Sequence, residues 1–160
     1  MVSLVKNDKV KRQLADFTLL EILVVVAIIG ILAVVALPIY NRSLVTAAIE
    51  EGLLFAEEER NKVELYFEVN GRMPVDATEA RLISNPIGRI QQILWRQEDS
   101  QNGRLVSVMN LSEFNEDFGT YAEAFILRGQ ANPNGSISWR CEPGRTIPRV
   151  PTEYLPASCQ

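Results

Sequence analysis

The sequence predicts an α+β protein: one long N-terminal helix, hydrophobic all round in its first half and amphipathic in its second, packed on a small antiparallel sheet. Three observations predict it. Residues Phe17 to Tyr40 read FTLLEILVVVAIIGILAVVALPIY, an apolar run broken by one carboxylate, Glu21. The next segment keeps apolar residues at helical spacing. The last third alternates apolar and polar residues between turn signals.

Taken in order, residues 1–16 form a short basic leader, in which Lys6, Lys9, Lys11 and Arg12 outnumber Asp8 and Asp16. A basic head before an apolar span stays in the cytoplasm, and the chain beyond the span is exported. From Ile22 to Tyr40 no residue carries a formal charge. Those 19 residues are enough to cross a hydrocarbon core of roughly 30 Å as a helix. An acid at the mouth of such a span is expensive to keep, so Glu21 is a functional-site candidate. Residues 17–40 are therefore the membrane segment, and residues 41–160 the exported body.

Past Tyr40 the helical pattern continues. Val45, Ile49, Leu53, Ala56, Val63 and Phe67 fall on one stripe, and Asn70-Gly71 followed by Pro74 is a stop signal. One helix from about Phe17 to Val69 would span about 80 Å. Gly30 and Pro38 weaken its first half by about 1 and about 3 kcal/mol relative to alanine. Pro38 also removes the bond to the carbonyl of Val34. A soft section is one reading; the ordinary frequency of Gly and Pro in membrane helices is the other.

Residues 71–103 connect helix to sheet. Asn85-Pro86 reads as a helix start, and Ile87, Ile90, Ile93 and Leu94 as one face of a short helix ending near Glu98. Leu105 to Met109 and Thr120 to Arg128 read as strands, the second with Tyr121, Phe125 and Leu127 on one face beside Glu123. Asn134-Gly135 is a hairpin turn, after which Ile137, Trp139 and Cys141 alternate with polar residues. The tail carries prolines at 143, 148, 151 and 156 and reads as irregular, held by a staple if Cys141 and Cys159 join. Export would permit that bridge; a reducing compartment would leave two thiols.

Composition narrows the chemistry. The 160 residues include no histidine and two cysteines, so the usual proton shuttle and a four-thiolate zinc site are both absent. No phosphate loop or nucleophile elbow is visible. The reading is of a protein that is not an enzyme and takes no cofactor or metal. A net charge of −4 argues against general nucleic-acid affinity. Arg128, Arg140, Arg145 and Arg149 could form a basic stripe, but acids match them in number over the last third. The run Glu57-Glu58-Glu59-Arg60 reads as a solvated face. Glu113, Glu116 and Asp117 lack calcium-loop spacing. The triplets Asn41-Arg-Ser43, Asn110-Leu-Ser112 and Asn134-Gly-Ser136 match the glycosylation sequon, a number expected by chance.

The block from Phe17 to Tyr40, with the basic leader before it, resembles the N-terminal segment of type IV pilins and related pseudopilins. The resemblance implies that a prepilin peptidase cuts between residues 16 and 17 and that the new amine of Phe17 is methylated. It places Glu21 at the family's acidic position, where it sets assembly register, and Gly30 and Pro38 at the family's softening positions. Trp139-Arg-Cys141 and Tyr154-Leu-Pro-Ala-Ser-Cys159 resemble the disulfide-bounded loop of type IVa pilins, which implies a Cys141–Cys159 bridge and favours pilins over pseudopilins. The implied partners are other copies of the chain, related pilins, the inner-membrane assembly machinery and membrane lipid. The implied locations are the inner membrane, then an extracellular filament serving attachment, twitching motility or DNA uptake. Two other readings stand beside it: a type II secretion pseudopilin, and a secreted or anchored binding protein with a leader of residues 1–36.

One position departs from the family. Pilins carry Gly before the cut, and this chain has Asp16. Glycine allows close backbone approach in a peptidase, whereas Asp adds bulk and charge beside a membrane site. Asp16→Gly is therefore expected to raise the mature fraction at a fixed time after synthesis, read by intact mass; equal fractions would discard the idea.

Overall fold

The computed structural model describes residues 18–83, 85–114, 116–146 and 148–160. Asp16, Phe17 and the leader lie outside the described residues. The chain divides into two units, Met1–Tyr40 and Asn41–Gln160.

Helix α1 runs Leu19–Asn70 and contains Pro38. It ends where Gly71 takes a positive φ of 66° and donates its N–H to the carbonyl of Phe67 at 2.7 Å. That left-handed cap satisfies one of the helix's orphan carbonyls and suits a residue without Cβ. Between residues 41 and 70 the helix buries Val45, Ala48, Ile49, Gly52, Ala56, Glu59, Val63 and Phe67. This is the apolar stripe the periodicity predicts, with Leu53 only half-buried and Ala48 and Gly52 in the seam instead. Small residues there let a sheet come close. A Cβ on Gly52 would sit 2.8 Å from Sδ of Met109.

The sheet is a four-stranded antiparallel meander, β1 (Ile90–Gln97), β2 (Asn102–Met109), β3 (Ala122–Ala131) and β4 (Ile137–Pro143), in that order. Cross-strand partners share a face, so the register sorts the side chains. Ile93, Trp95, Leu105, Ser107, Phe125 and Leu127 fall on the face toward α1 and are buried. Gly103 and Gly129 are paired on that face, and Trp95 and Trp139 lie over the space they leave. A Cβ on Gly129 would stand 2.9 Å from the Trp139 ring.

The short helix expected from Ile87 to Glu98 is not formed; that stretch is β1. The helical spacing of Ile90 and Ile93 has a different origin. Ile90 pairs with Met109 and Gln92 with Val108, so the register skips a residue at Gln91. A β-bulge of this kind puts residues three apart on the same face. Asn85-Pro86 does not cap a helix either. It leads into a tight turn in which Ile87 and Ile90 exchange both backbone hydrogen bonds at 2.9 Å, with Gly88 at positive φ.

A second bulge corrects the reading of β3. Ser107 pairs with Phe125 and Val108 with Glu123, so Ala124 is the extra residue. Glu123 thereby turns to the opposite face from Phe125, and Tyr121 lies before the strand, exposed. The acidic run on α1 is corrected too. Glu59 is only 2% exposed. Its carboxylate accepts from Nζ of Lys62 at 2.6 Å and from the backbone N–H of Ile83 at 2.8 Å, tying the connecting loop to the helix.

Removing that tie leaves the Ile83 N–H and the Lys62 ammonium without their acceptor. Glu59→Ala is expected to destabilise the body by about 2 kcal/mol, seen as a lower midpoint in thermal unfolding of the detergent-solubilised chain; an unchanged midpoint would mean that water replaces the carboxylate freely.

Candidate functional site: the helix start and the stapled C-terminus

Thr18 stands immediately before α1, and Glu21 is the third helical residue. The N–H of Glu21 donates to the Thr18 carbonyl at 2.9 Å and to Thr18 Oγ1 at 3.2 Å. Thr-x-x-Glu is the capping-box spacing, and the hydroxyl half of it is formed. The signal was present in the sequence, in the three-residue step from Thr18 to Glu21. Glu21 also lies at the positive end of the helix dipole, which favours an anion. Thr18 thus starts the helix, and the dipole favours an acid in its first turn.

From Leu19 to Tyr40 every residue is exposed, Leu19 at 82% and Val34 at 74% among them. The most apolar window of this helix has a mean hydropathy of 3.2 and none of it is buried. A surface of this kind is far larger than a soluble monomer leaves in water. It is long and apolar enough to cross a membrane, or to be covered by other protein. A Cβ on Gly30 would meet nothing within 4 Å, so no packing among the described residues requires glycine there.

At the other end, Cys141 and Cys159 are joined, with Cα atoms 4.5 Å apart. Closing a loop of this length constrains the unfolded chain by about 3 kcal/mol. The tail does not depend on the bridge alone. Glu123, turned outward by its bulge, accepts from the backbone N–H of Arg145 at 2.6 Å and of Thr146 at 3.3 Å. Its own main chain bonds Pro148 and Val150. Arg42 of α1 donates twice to the carbonyl of Glu153, at 2.6 and 3.1 Å, and Thr46 donates to that of Tyr154 at 3.1 Å. Val150, Leu155 and Cys159 are buried, and Tyr154 meets Phe118 edge-on at 5.3 Å.

The loop after α1 is fastened by Glu79. Arg72 grips its carboxylate with two bonds of 3.0 Å, the Tyr66 hydroxyl donates at 2.8 Å, and the Val75 N–H at 2.7 Å. The Arg72 bonds, then those of Val75 and Tyr66, hold the Glu79 carboxyl down at about 2. Asp76 is lowered as well, chiefly by the Thr78 hydroxyl it accepts from. Two of the sequon triplets have a local structural role: the side-chain oxygens of Asn110 and Asn134 accept from the N–H and hydroxyl of Ser112 and Ser136. Glu113 is paired with Arg89, and no cluster of metal-ligating side chains exists among the described residues.

The chain has counterparts among known proteins. A model of the pilin family, the subunits of bacterial filaments, matches residues 45–160. The chain belongs to the type IV pilins. Its relatives include a type IV major pilin protein PilE1 of Neisseria gonorrhoeae, 31% identical over 90% of this chain and 86% of the relative. The fimbrial protein EcpC of Eikenella corrodens is 29% identical over 94% of this chain and 93% of its own. A fimbrial protein of Neisseria meningitidis serogroup B is 27% identical over 90% and 92%. The family match covers the body, and the relatives extend the likeness to most of the chain.

Glu79, with Asp76 beside it, is expected to make the loop after α1 of this pilin sensitive to acid. A carboxyl held below its unfolded value of about 4.5 stabilises the fold above that pH and stops doing so as pH falls toward 2. We expect the loop around Trp95, whose indole donates to the carbonyl of Pro74 at 2.7 Å, to loosen over that window and change tryptophan fluorescence. In Glu79→Gln the step should disappear; an identical acid profile would show that other carboxyls carry it.

Proposed function

We propose that this pilin waits in the inner membrane with its N-terminus in the cytoplasm, is cut between Asp16 and Phe17, and enters the pilus through residues 17–40. The role of pilus subunit follows from family membership and from the relatives, which are filament subunits. The observation that carries the rest is the fully exposed apolar stretch of α1 with a single acid in its first turn.

Cutting before Phe17 would free an amine one helical turn from Glu21, or from the Glu21 of a neighbour. An amine and a carboxylate at contact distance attract by about 4 kcal/mol at an effective dielectric of 20. In apolar surroundings neither charge is cheap alone. Two buried charges with one good partner each reject a slipped register, which aliphatic contacts do not. The apolar segment moves from lipid to protein, so hydrophobic burial supplies little of the drive. Packing, the charge pair and the work of the assembly machinery supply it. Gly30 and Pro38 are the places where the segment gives as it packs, because one lacks a side chain and the other a backbone donor.

The pseudopilin alternative shares the N-terminal logic. The stapled C-terminal loop and the pilin relatives favour the pilus subunit.

Glu21→Ala is expected to insert in the membrane at the normal level and to yield no sheared filaments in a piliated host that lacks its own subunit, scored by electron microscopy and immunoblot. Filaments in normal amount would remove Glu21 from assembly.

A further inference from the structure

Four arginines, one from each strand, stand in line across the sheet face that points away from α1. Arg96 pairs in register with Arg104, Arg104 with Arg128, and Arg128 with Arg140. No sequence window shows the row, because its members are spread over 45 residues. Across four strands it is about 14 Å long. Like charges directly opposite each other destabilise a sheet, so the row needs acid.

The chain supplies part of it. Glu98 takes Arg104 at 3.3 Å and Arg128 at 2.6 Å; Glu142 takes Arg128 at 3.1 Å and Arg145 at 2.7 Å. Glu123, on the same face, is engaged by backbone N–H groups. The two ends of the row, Arg96 and Arg140, are exposed and have no ion pair among the described residues. Arg104 Nε is buried without a hydrogen-bond partner. Arg96, Arg104 and Arg145 border a hollow of about 180 Å³, lined also by Glu123 and by Leu94, Val106 and Ile126. The face therefore offers unspent positive charge beside an aliphatic patch, on a chain whose net charge is −4.

We propose that this row is a subunit contact: it receives exposed carboxylates of a second copy of the chain. The proposal rests on the filament reading above. Charge decides the occupant. Copies carrying net negative charge repel when stacked, and one cationic face per copy offsets that. An open filament also needs head-to-tail contacts, in which a surface on one copy meets a different, complementary surface on the next. Exposed carboxylates without an ion pair among the described residues are available on the same chain: Glu50, Glu58 and Glu68 on α1, and Glu116 and Glu153 outside it. A nucleic-acid backbone fits worse, because a filament of acidic subunits repels a polyanion over its length.

The test uses the full chain in a piliated host lacking its own subunit. Arg96→Glu with Arg140→Glu is expected to cut sheared filament yield about tenfold while the Cys141–Cys159 bridge still forms. Lysine at Glu50, Glu58 and Glu68, or at Glu116 and Glu153, should restore it. The milder pair Arg96→Gln with Arg140→Gln should give filaments that come apart at lower salt than the unaltered ones. Unaltered yield and salt profile in both variants would overturn the proposal, as would a loss that neither acidic group rescues. Filaments in normal amount that no longer retain labelled duplex DNA would assign the row to nucleic acid instead. Absence of filaments from the unaltered chain would overturn the subunit reading itself.

Discussion

The sheet meets α1 along a seam of small side chains, and the rest of residues 41–160 is arranged around that approach. Ala48, Gly52 and Ala56 lie between the larger Val45, Ile49, Val63 and Phe67. At Gly52 the space a Cβ would take is filled by Met109, with Phe125 next to it. A helix and a sheet that come this close exclude water from both, which lets Phe125, Leu105 and Met109 be fully buried in a body of modest size. The bulges at Gln91 and Ala124 belong to the same arrangement. They allow Ile90 and Ala122 to reach the core face at the far end of the sheet, where the register would otherwise have turned them outward.

The same helix carries two kinds of surface because its two parts answer to different surroundings. From Leu19 to Tyr40 there is no polar side to speak of, and each of these residues is exposed among the described residues. Beyond Tyr40 the buried residues narrow to a stripe, and acids share the remainder with exposed Leu54, Leu65 and Val69. A carboxylate in the first part is tolerable only at the helix start, where Thr18 and the helix dipole hold its turn in place. Buried acids in the body, Glu59 on α1 and Glu123 on β3, are tolerable because each has donors. Glu59 has Lys62 and a backbone N–H; Glu123 has two backbone N–H groups. Burial of a carboxylate without such donors would cost more than either contact returns.

Much of this was legible in the sequence, and the misreadings have a common cause. The long helix, its stripe and its glycine stop follow from local spacing, as do the turn at Asn134-Gly135 and the strand around Trp139. The region from Ile87 to Glu98 was not legible, since a bulge mimics the three-residue step of a helix. Glu59 reads as a surface acid and Glu123 as a misfit on the apolar face of its strand, because nothing in their neighbourhood of the chain announces Ile83, Arg145 or Thr146 as partners. The arginine row was hidden for the same reason: counting charge along residues 104–160 averages two faces that the register separates. At the helix start the membrane-like run and Glu21 were plain, and the cap at Thr18 could have been read from its spacing. Sequence pattern reports what lies within one element; it is silent on what four elements bring together.

The ties that hold the C-terminal loop show why such a body can keep its fold while its surface changes. Arg42 and Thr46 donate to main-chain carbonyls, and Glu123 accepts from main-chain amides; the loop after α1 is held the same way, by Trp95 and Gln97 donating to the carbonyls of Pro74 and Met73. A bond to a peptide group makes no demand on the side chain that the peptide carries. The exposed side chains of residues 148–158 are therefore free to vary as long as their backbone follows the same path, with Val150, Tyr154, Leu155 and the disulfide as the fixed points. Anchoring of this kind separates two tasks within the body: the path of the loop is set by backbone and core, and the chemistry it shows to the surroundings is left to residues on which the fold does not depend.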